Sequence, residues 1–72
     1  MKEYFYQITM VTKTGKKLYL SMVEGDPTWS FNSQIACYWN DEDTAKNFAT
    51  RWFKRFSAWK VEEVGIDIND NL

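Results

Sequence analysis

The sequence contains no histidine and only one cysteine among its 72 residues. Without histidine, the chain lacks the side chain that most often serves as a general base or a metal ligand near neutral pH. Because Cys37 is the only thiol, no disulfide can form within the chain, and a catalytic thiol would have no histidine to activate it. We therefore expect no enzyme activity, no metal and no cofactor. Cys37 is predicted to be a small buried side chain in a reducing, cytoplasmic setting.

Glycine is also scarce, and long apolar runs are missing. The three glycines are isolated from one another, which excludes a glycine-rich loop of the kind that cradles phosphate. No apolar stretch reaches the roughly 18 residues that a transmembrane helix needs. The first residues alternate and are interrupted by charge, unlike the continuous apolar segment of a signal peptide. The sequence therefore predicts no membrane partner.

Positive and negative side chains almost balance. Nine basic and ten acidic residues give a net charge of −1. Proteins that bind nucleic acid or anionic membranes usually carry an excess of positive charge. The overall charge therefore gives no reason to expect either partner.

Aromatic residues, in contrast, are abundant: the chain has four Trp, four Tyr and five Phe. Each aromatic side chain can bury about 150–250 Å², which matters because a chain this short buries only roughly 60% of its unfolded surface. The aromatics allow residues 1–72 to fold as one small domain without a disulfide or a metal. The last few residues are expected to fray.

Alternating apolar residues predict a β-hairpin near the N-terminus. Residues 4–11 and 17–23 are rich in aromatic and β-branched side chains, and Gly15 between them can adopt the positive φ of a short hairpin loop. The faces assigned to the core are Tyr4, Tyr6, Ile8 and Met10 in the first strand and Leu18, Leu20 and Met22 in the second. A turn is then predicted at residues 25–27, followed by an irregular segment and a third strand at residues 35–39.

An acidic stretch followed by regularly spaced apolar residues predicts a helix. Asn40 or Asp41 can accept hydrogen bonds from the free amides of the first turn, and residues 41–43 place negative charge at the positive end of the helix dipole. The apolar stripe comprises Ala45, Phe48, Ala49, Trp52, Phe53 and Phe56. We expect this stripe to pack on the sheet, with Trp52 in contact with Ile8 and Leu20.

The end of the chain predicts a final strand whose alternation is broken. The two phases comprise Trp59 and Val61, and then Val64, Ile66 and Ile68. A solvated bulge at Glu62 and Glu63 would bring both phases to one face, and so would two separate short strands. The element order is then β-β-β-α-β. It favours an α+β fold in which an antiparallel sheet carries one amphipathic helix on one face.

Seven residues between positions 29 and 49 form a recognisable pattern: Trp29, Ala36, Trp39, Asp41, Asp43, Ala45 and Phe48. This segment resembles small, largely uncharacterised proteins of Gram-positive bacteria and their phages. Those chains carry a tryptophan, then an alanine and an aromatic residue, and then a capped helix that begins with acidic residues and alanine. The resemblance carries over no catalytic residue. It implies a phage or prophage accessory protein that binds a host or defence protein.

A single helix covers only one face of a sheet, which leaves some aromatic residues without a place in the core. Phe5, Tyr19, Tyr38 and Trp29 are expected on the uncovered face or in the irregular segment. Phe31 is expected in the irregular segment. Because exposed aromatic clusters mark protein interfaces, the sequence favours a non-catalytic protein-binding module. The candidate contact residues are Tyr19, Trp29, Phe31 and Tyr38, unless they form a second small core under the loop. The partner is another protein or a second copy of the chain.

The alternative function is nucleic-acid binding through the polar side of the helix. Its candidate contacts are Arg51, Lys54, Arg55 and Lys60, which could meet phosphates while an aromatic side chain stacks on bases. Three acidic residues follow closely in the sequence and would repel phosphate. A solvated helix surface explains the same basic residues without any ligand.

Overall fold

The structure, a computed structural model, describes residues 2–53 and 58–67. These residues form β1 (Lys2–Val11), β2 (Lys17–Val23), β3 (Asp26–Ser30), α1 (Glu42–Trp52) and β4 (Lys60–Asp67), with a 3₁₀ turn at Ser33–Ile35 before α1. The four strands make one antiparallel sheet in the order β3-β2-β1-β4. The predicted α+β fold, with the element order β-β-β-α-β and one helix on one face of the sheet, is confirmed.

Tight loops join the first three strands. In the predicted β1–β2 hairpin, Gly15 has φ +86° and donates its N–H to the Thr12 carbonyl at 2.9 Å. The β2–β3 loop consists of Glu24 and Gly25 alone, with φ values of +53° and +86°. Positive φ at both positions is what a two-residue hairpin loop of type I′ requires, so this loop returns the chain at once as an antiparallel strand.

The third strand therefore lies earlier than the sequence suggested. It was expected at residues 35–39, but it occupies Asp26–Ser30. Asp26 and Pro27 belong to this strand and not to a turn. A proline is tolerated here because β3 is an edge strand, where a missing N–H breaks no ladder hydrogen bond.

Residues 37–39 fill a gap between β1 and β2 instead of forming a full strand. β1 pairs with β2 from Thr9 onward, and before that point the two strands leave room for another segment. The Cys37 N–H donates to the Leu20 carbonyl at 2.9 Å, and Trp39 exchanges two backbone hydrogen bonds of 2.8 Å with Tyr6. These bonds satisfy backbone groups that strand pairing would otherwise satisfy, and they fix the orientation of the segment.

The hydrophobic core lies between the sheet and α1. Its centre consists of Ile8, Leu20, Ala45 and Ala49, each 0% exposed. Around it pack the partly buried side chains Tyr6, Trp29, Trp39, Phe48, Phe53, Trp59 and Val61. Because both alanines carry only a methyl group, the helix backbone comes close to the sheet. The predicted stripe residue Phe56 lies outside the described residues.

The helix begins where its capping residue predicts. Asp41, not Asn40, is the N-cap, and its carboxylate accepts hydrogen bonds from the Thr44 amide at 2.9 Å and the Thr44 hydroxyl at 3.1 Å. Glu42 and Lys46, one turn apart, form an ion pair at 3.1 Å. The acidic stretch is thus used to start the helix, as the sequence indicated.

The predicted position of Trp52 is wrong. Its side chain is 54% exposed and packs only along one side, with its ring 6.0 Å from that of Phe48. The helix contacts the sheet through the i, i+4 ridge that contains Ala45 and Ala49, whereas Phe48 and Trp52 form the adjacent ridge. Phe48 still reaches Trp39, at a ring separation of 5.2 Å, and Trp52 lies beyond that contact.

The predicted bulge at residues 62–63 is also wrong, because β4 pairs with β1 in one unbroken register. Val61 therefore faces the helix, while Val64 and Ile66 face the opposite side of the sheet. The alternation breaks in the sequence because both faces of β4 carry apolar side chains. Ile68, the last residue of the predicted strand, lies outside the described residues.

The backbone at Glu24 offers a test of the tight β2–β3 loop. A side chain in the left-handed region costs roughly 1–2 kcal/mol, whereas asparagine is well tolerated before glycine in such loops. We expect Glu24→Asn to raise the free energy of unfolding by about 0.5–1 kcal/mol in urea titrations. The exposed residue Lys13, whose φ is not positive, provides the control. If Lys13→Asn stabilises the protein equally, relief of backbone strain is not the cause.

Candidate protein-binding face

The sheet face opposite α1, called the open face below, is covered by no helix within residues 2–53 and 58–67. Side chains alternate between the two faces of a strand, and the residues out of phase with Ile8, Leu20 and Val61 make up this face. Those on the three longest strands are Glu3, Phe5, Gln7, Thr9, Val11, Lys17, Tyr19, Ser21, Val23, Lys60, Glu62, Val64 and Ile66.

Four side chains at one end of the open face form a patch, called the apolar patch below. The rings of Phe5 and Tyr38 lie 6.3 Å apart at 57°, a tilted arrangement that aromatic pairs favour. Tyr38 is 43% exposed. Val64 lies directly across from Phe5 in the β1–β4 register, and Ile66 follows two residues later. The apolar patch therefore presents two aromatic and two branched side chains on the side of the sheet opposite α1.

Tyr38 reaches the open face because residues 37–39 are held in an extended conformation. Its neighbour Trp39 points the other way and packs on Phe48 in the helix layer. The two backbone hydrogen bonds between Trp39 and Tyr6 fix this alternation. The inserted segment thus delivers one aromatic side chain to the core and one to the surface.

A polar network lies beside the apolar patch. Glu62 accepts hydrogen bonds from the Thr9 hydroxyl and from the Lys17 ammonium group, the latter at 2.9 Å. Thr9 is 0% exposed and Gln7 is 7% exposed. The side chain of Glu62 is only 23% exposed, so the expected solvated position at the bulge is wrong. Charge-assisted hydrogen bonds of this kind hold the three side chains in place.

These contacts change the pKa of Glu62. Partial burial alone would raise it, but the hydrogen bonds from Lys17 and Thr9, together with the charges of Lys17 and Lys60, outweigh burial and lower the pKa below its ordinary value of 4.5. A carboxyl group whose pKa is lowered by folding stabilises the protein above its unfolded-state pKa. That stability is lost as the pH falls through the folded-state pKa.

We therefore expect Glu62→Gln to destabilise the protein near neutral pH and to have little effect in strong acid. The loss at neutral pH should be about 1 kcal/mol or less, because Lys17 and Glu62 both keep some contact with water. Urea titrations at a series of pH values between neutral and strongly acidic would measure it. Glu3→Gln, at an exposed position of β1, is the control. An equal pH dependence of the two variants relative to wild type would contradict the role of Glu62.

Two of the four predicted interface residues lie on the open face. Tyr38 belongs to the apolar patch. Tyr19 is half-buried further along the sheet, and the Lys17 ammonium group lies 5.6 Å from the centre of its ring. Phe31 follows β3 and is 64% exposed, with the Lys16 ammonium group 5.9 Å from its ring. Phe31 therefore lies in the loop after β3, as expected.

Trp29 was expected on the uncovered face or in the loop, and both expectations are wrong. It lies in β3, directly across from Leu20, and faces the helix layer. Its ring is 5.2 Å from that of Phe53, which follows the last residue of α1. Trp29 is thus part of the main core. It contributes neither to a binding surface nor to a second small core under the loop.

Nucleic-acid binding was the alternative function, and two of its four candidate contacts, Arg51 and Lys60, are among the described residues. These two do not lie on one surface. Arg51 is exposed on α1, whereas Lys60 lies across from Thr9 on the open face. The sheet separates these two side chains. Lys54 and Arg55 lie outside the described residues.

Val64 and Ile66 are the site residues that the sequence prediction missed entirely, and Phe5 was expected on the uncovered face but was not among the candidate contact residues. Because a bulge was predicted at residues 62–63, the side chains of Val64 and Ile66 were both assigned to the core face. Their spacing of two, out of phase with Trp59 and Val61, was the available signal for a second apolar face on the same strand.

Other kinds of site find no support within residues 2–53 and 58–67. No three Cys, Asp or Glu side chains there are placed to hold a metal ion together, and Cys37 is a half-buried free thiol. No helix in the same residues combines the length and apolar character needed to cross a membrane. Comparisons of the chain with protein-family models, curated proteins and solved structures found no match.

Proposed function

We propose that this protein is a small, non-catalytic protein-binding module and that the apolar patch on its open face is the contact surface. The observation that carries the proposal is the Phe5–Tyr38 ring pair, which lies beside Val64 on the side of the sheet away from α1. Aromatic side chains are enriched among the residues that dominate binding energy at protein interfaces. The neighbouring hydrogen bonds of Glu62 join β1, β2 and β4 beside the patch, so little ordering would be required on binding.

The resemblance to proteins of Gram-positive bacteria and their phages supports a host or defence protein as the partner. The matching residues stabilise the fold of this chain. Trp39 packs on Phe48, Asp41 caps α1, and Ala45 is buried on the side of α1 that faces the sheet. Tyr38 lies inside the same segment but points to the surface. We assign the shared pattern to the scaffold and partner contact to the side chain that the scaffold displays.

The test is affinity capture from a Gram-positive cell lysate, with wild type and two variants immobilised in parallel. Tyr38→Ser removes an aromatic ring from the apolar patch, whereas Trp52→Ser removes a similarly exposed ring from the helix side. If Tyr38 is a dominant contact worth about 2 kcal/mol, its variant should bind the captured protein roughly 30-fold more weakly. Trp52→Ser should retain it.

Three results would contradict the proposal. These are capture of no protein by wild type, undiminished capture by Tyr38→Ser, and loss of capture by Trp52→Ser alone. Sedimentation of the purified protein separates a foreign partner from a second copy, because a patch that binds itself would give a dimer that Tyr38→Ser dissociates.

A further inference from the structure

The outer edge of β4 is a second feature of the same region. The strand order places β4 at one end of the sheet, and within residues 2–53 and 58–67 no segment pairs with its outer side. β4 is eight residues long. A free edge of this length offers a row of backbone N–H and C=O groups to an incoming strand.

The hydrogen bonds of β1 show which backbone groups of β4 point away from β1. Tyr6 directs its N–H and C=O toward Trp39, away from β4. Because these groups alternate along a strand, Phe5 and the other odd-numbered residues of β1 direct theirs toward β4. Their register partners are the even-numbered residues of β4. The N–H and C=O groups of Glu63 and Gly65 therefore point outward, and both residues are exposed.

The two sides of this edge differ in chemistry. On the open face, Val64 and Ile66 belong to the apolar patch. On the helix side, Glu63 accepts a hydrogen bond from the Tyr6 hydroxyl at 3.3 Å. Burial raises the pKa of Tyr6, and so do the negative charges of Glu63 and, more weakly, of the helix-start residues Glu42 and Asp41. Glu63 is therefore an acidic group on the helix side of this edge, and the Lys2 side chain packs over Gly65 on the same side. Glu42 is itself partly neutralised by Lys46.

We propose that the outer edge of β4 binds an extended segment of the protein partner as a fifth, antiparallel strand. The inferred segment carries apolar residues opposite Ile66 and Val64 and a basic residue opposite Glu63. Read from its N-terminus, its pattern is apolar, any residue, apolar, basic. This inference rests on the proposed function, because it names the kind of partner segment that the same region would bind.

A second copy of the chain is a poorer occupant of this edge than a foreign segment. β4 contains the apolar spacing itself, at Val64 and Ile66, but the next residue is Asp67. Antiparallel pairing of two β4 strands in that register would place Asp67 directly across from Glu63. Like charges in that position are destabilising, so charge complementarity favours a partner with lysine or arginine there.

The experiment is a titration of the ¹⁵N-labelled protein with the peptide Ac-TVTVKT-NH₂, followed by amide chemical shifts and hydrogen exchange. Saturable shifts and slower exchange are expected at the amides of Glu63 and Gly65. A peptide methylated on the two nitrogens that face those residues keeps its side chains but cannot donate to the edge, so it should not bind.

Charge exchange tests the recognition of Glu63. Glu63→Lys should weaken binding of the lysine peptide roughly three- to tenfold, and Ac-TVTVET-NH₂ should recover the lost affinity on this variant. The spectrum of the free variant shows whether it is folded, and the N-methylated peptide tests the edge in wild type independently of any variant.

The inference is overturned if the N-methylated peptide binds as well as its parent, if Glu63→Lys shows no exchange of preference, or if no peptide binds. Shifts confined to Phe5 and Tyr38 would also overturn strand addition, while leaving the apolar patch as a binding surface. Failure of the proposed function would be recognised by a different result, namely undiminished capture of the lysate protein by Tyr38→Ser.

Discussion

Replacing Ile8 with alanine is expected to leave most of the protein unfolded at room temperature. Ile8 is 0% exposed in β1, and its side chain packs against the two buried alanines of α1 at the centre of the core. Deleting a buried isoleucine side chain costs about 2–5 kcal/mol, and a domain of this size has a total stability of only about 3–5 kcal/mol. Circular dichroism and urea titration of Ile8→Ala would measure the loss directly.

Trp52→Ala provides the contrast to Ile8→Ala. Although tryptophan is much the larger residue, its ring is half exposed and contacts Phe48 from one side. The loss should be about 1 kcal/mol, the scale of a single aromatic pair. If Trp52→Ala is as damaging as Ile8→Ala, the ridge of α1 that faces the sheet has been assigned incorrectly.

A larger side chain at Ala49 should also destabilise the fold strongly. Ala49 is 0% exposed on the side of α1 that faces the sheet, and its methyl group sets the close approach of the helix to the sheet. Inserting additional carbon atoms into a well-packed core costs about 1–3 kcal/mol, so Ala49→Leu should lose roughly a fifth or more of a total stability of about 3–5 kcal/mol. Thermal unfolding followed by circular dichroism would measure this change.

The adjacent residue Thr50 is the matched control for Ala49. It is exposed on the same helix, and leucine has a favourable helix propensity. We expect Thr50→Leu to stay within about 0.5 kcal/mol of wild type. Equal destabilisation by both leucines would mean that the helix, and not its contact with the sheet, is sensitive to the added side chain.

Local patterns in the sequence predicted the first hairpin and the helix. The alternation of apolar residues before and after Gly15 and the capping by Asp41 act within a few residues, so they can be read without the fold. The third strand was misplaced because its start depends on Glu24 adopting positive φ, which glutamate rarely does. Residues 35–39 have a strand-like composition, but Ile35 ends a 3₁₀ turn and residues 37–39 occupy a gap that only the divergence of β1 from β2 creates.

The errors in core assignment have one physical origin. Hydrophobic periodicity shows that a side chain lies on an apolar face, but it does not show what covers that face. Trp52 shares a stripe with Ala45 and Ala49 yet lies on the neighbouring ridge of α1, where the sheet does not reach it. Val64 and Ile66 were predicted to face the core because two kinds of strand have the same sequence pattern. A strand with apolar residues on both faces cannot be told in sequence from a bulged strand with one apolar face.

The candidate site was predicted in part. Tyr38 and Tyr19 were correctly expected away from the helix, because a single helix leaves one face of a sheet uncovered. Trp29 was not recognised as a core residue, since its burial depends on where β3 lies and on its contact with Phe53. The apolar patch joins residues from β1, β4 and the inserted segment, and no local pattern brings those three pieces together.

Photo-crosslinking tests the central claim, that partner contact is made on the open face, most directly. Benzoylphenylalanine is placed at Tyr38 in one variant and at Trp52 in another, so that two similarly exposed aromatic positions on opposite faces are compared. After irradiation in a Gram-positive lysate, the variant labelled at position 38 should form a defined protein adduct, and the variant labelled at position 52 should not. An adduct from position 52 alone would place the partner on the helix side and contradict the claim, as would the absence of any adduct from position 38.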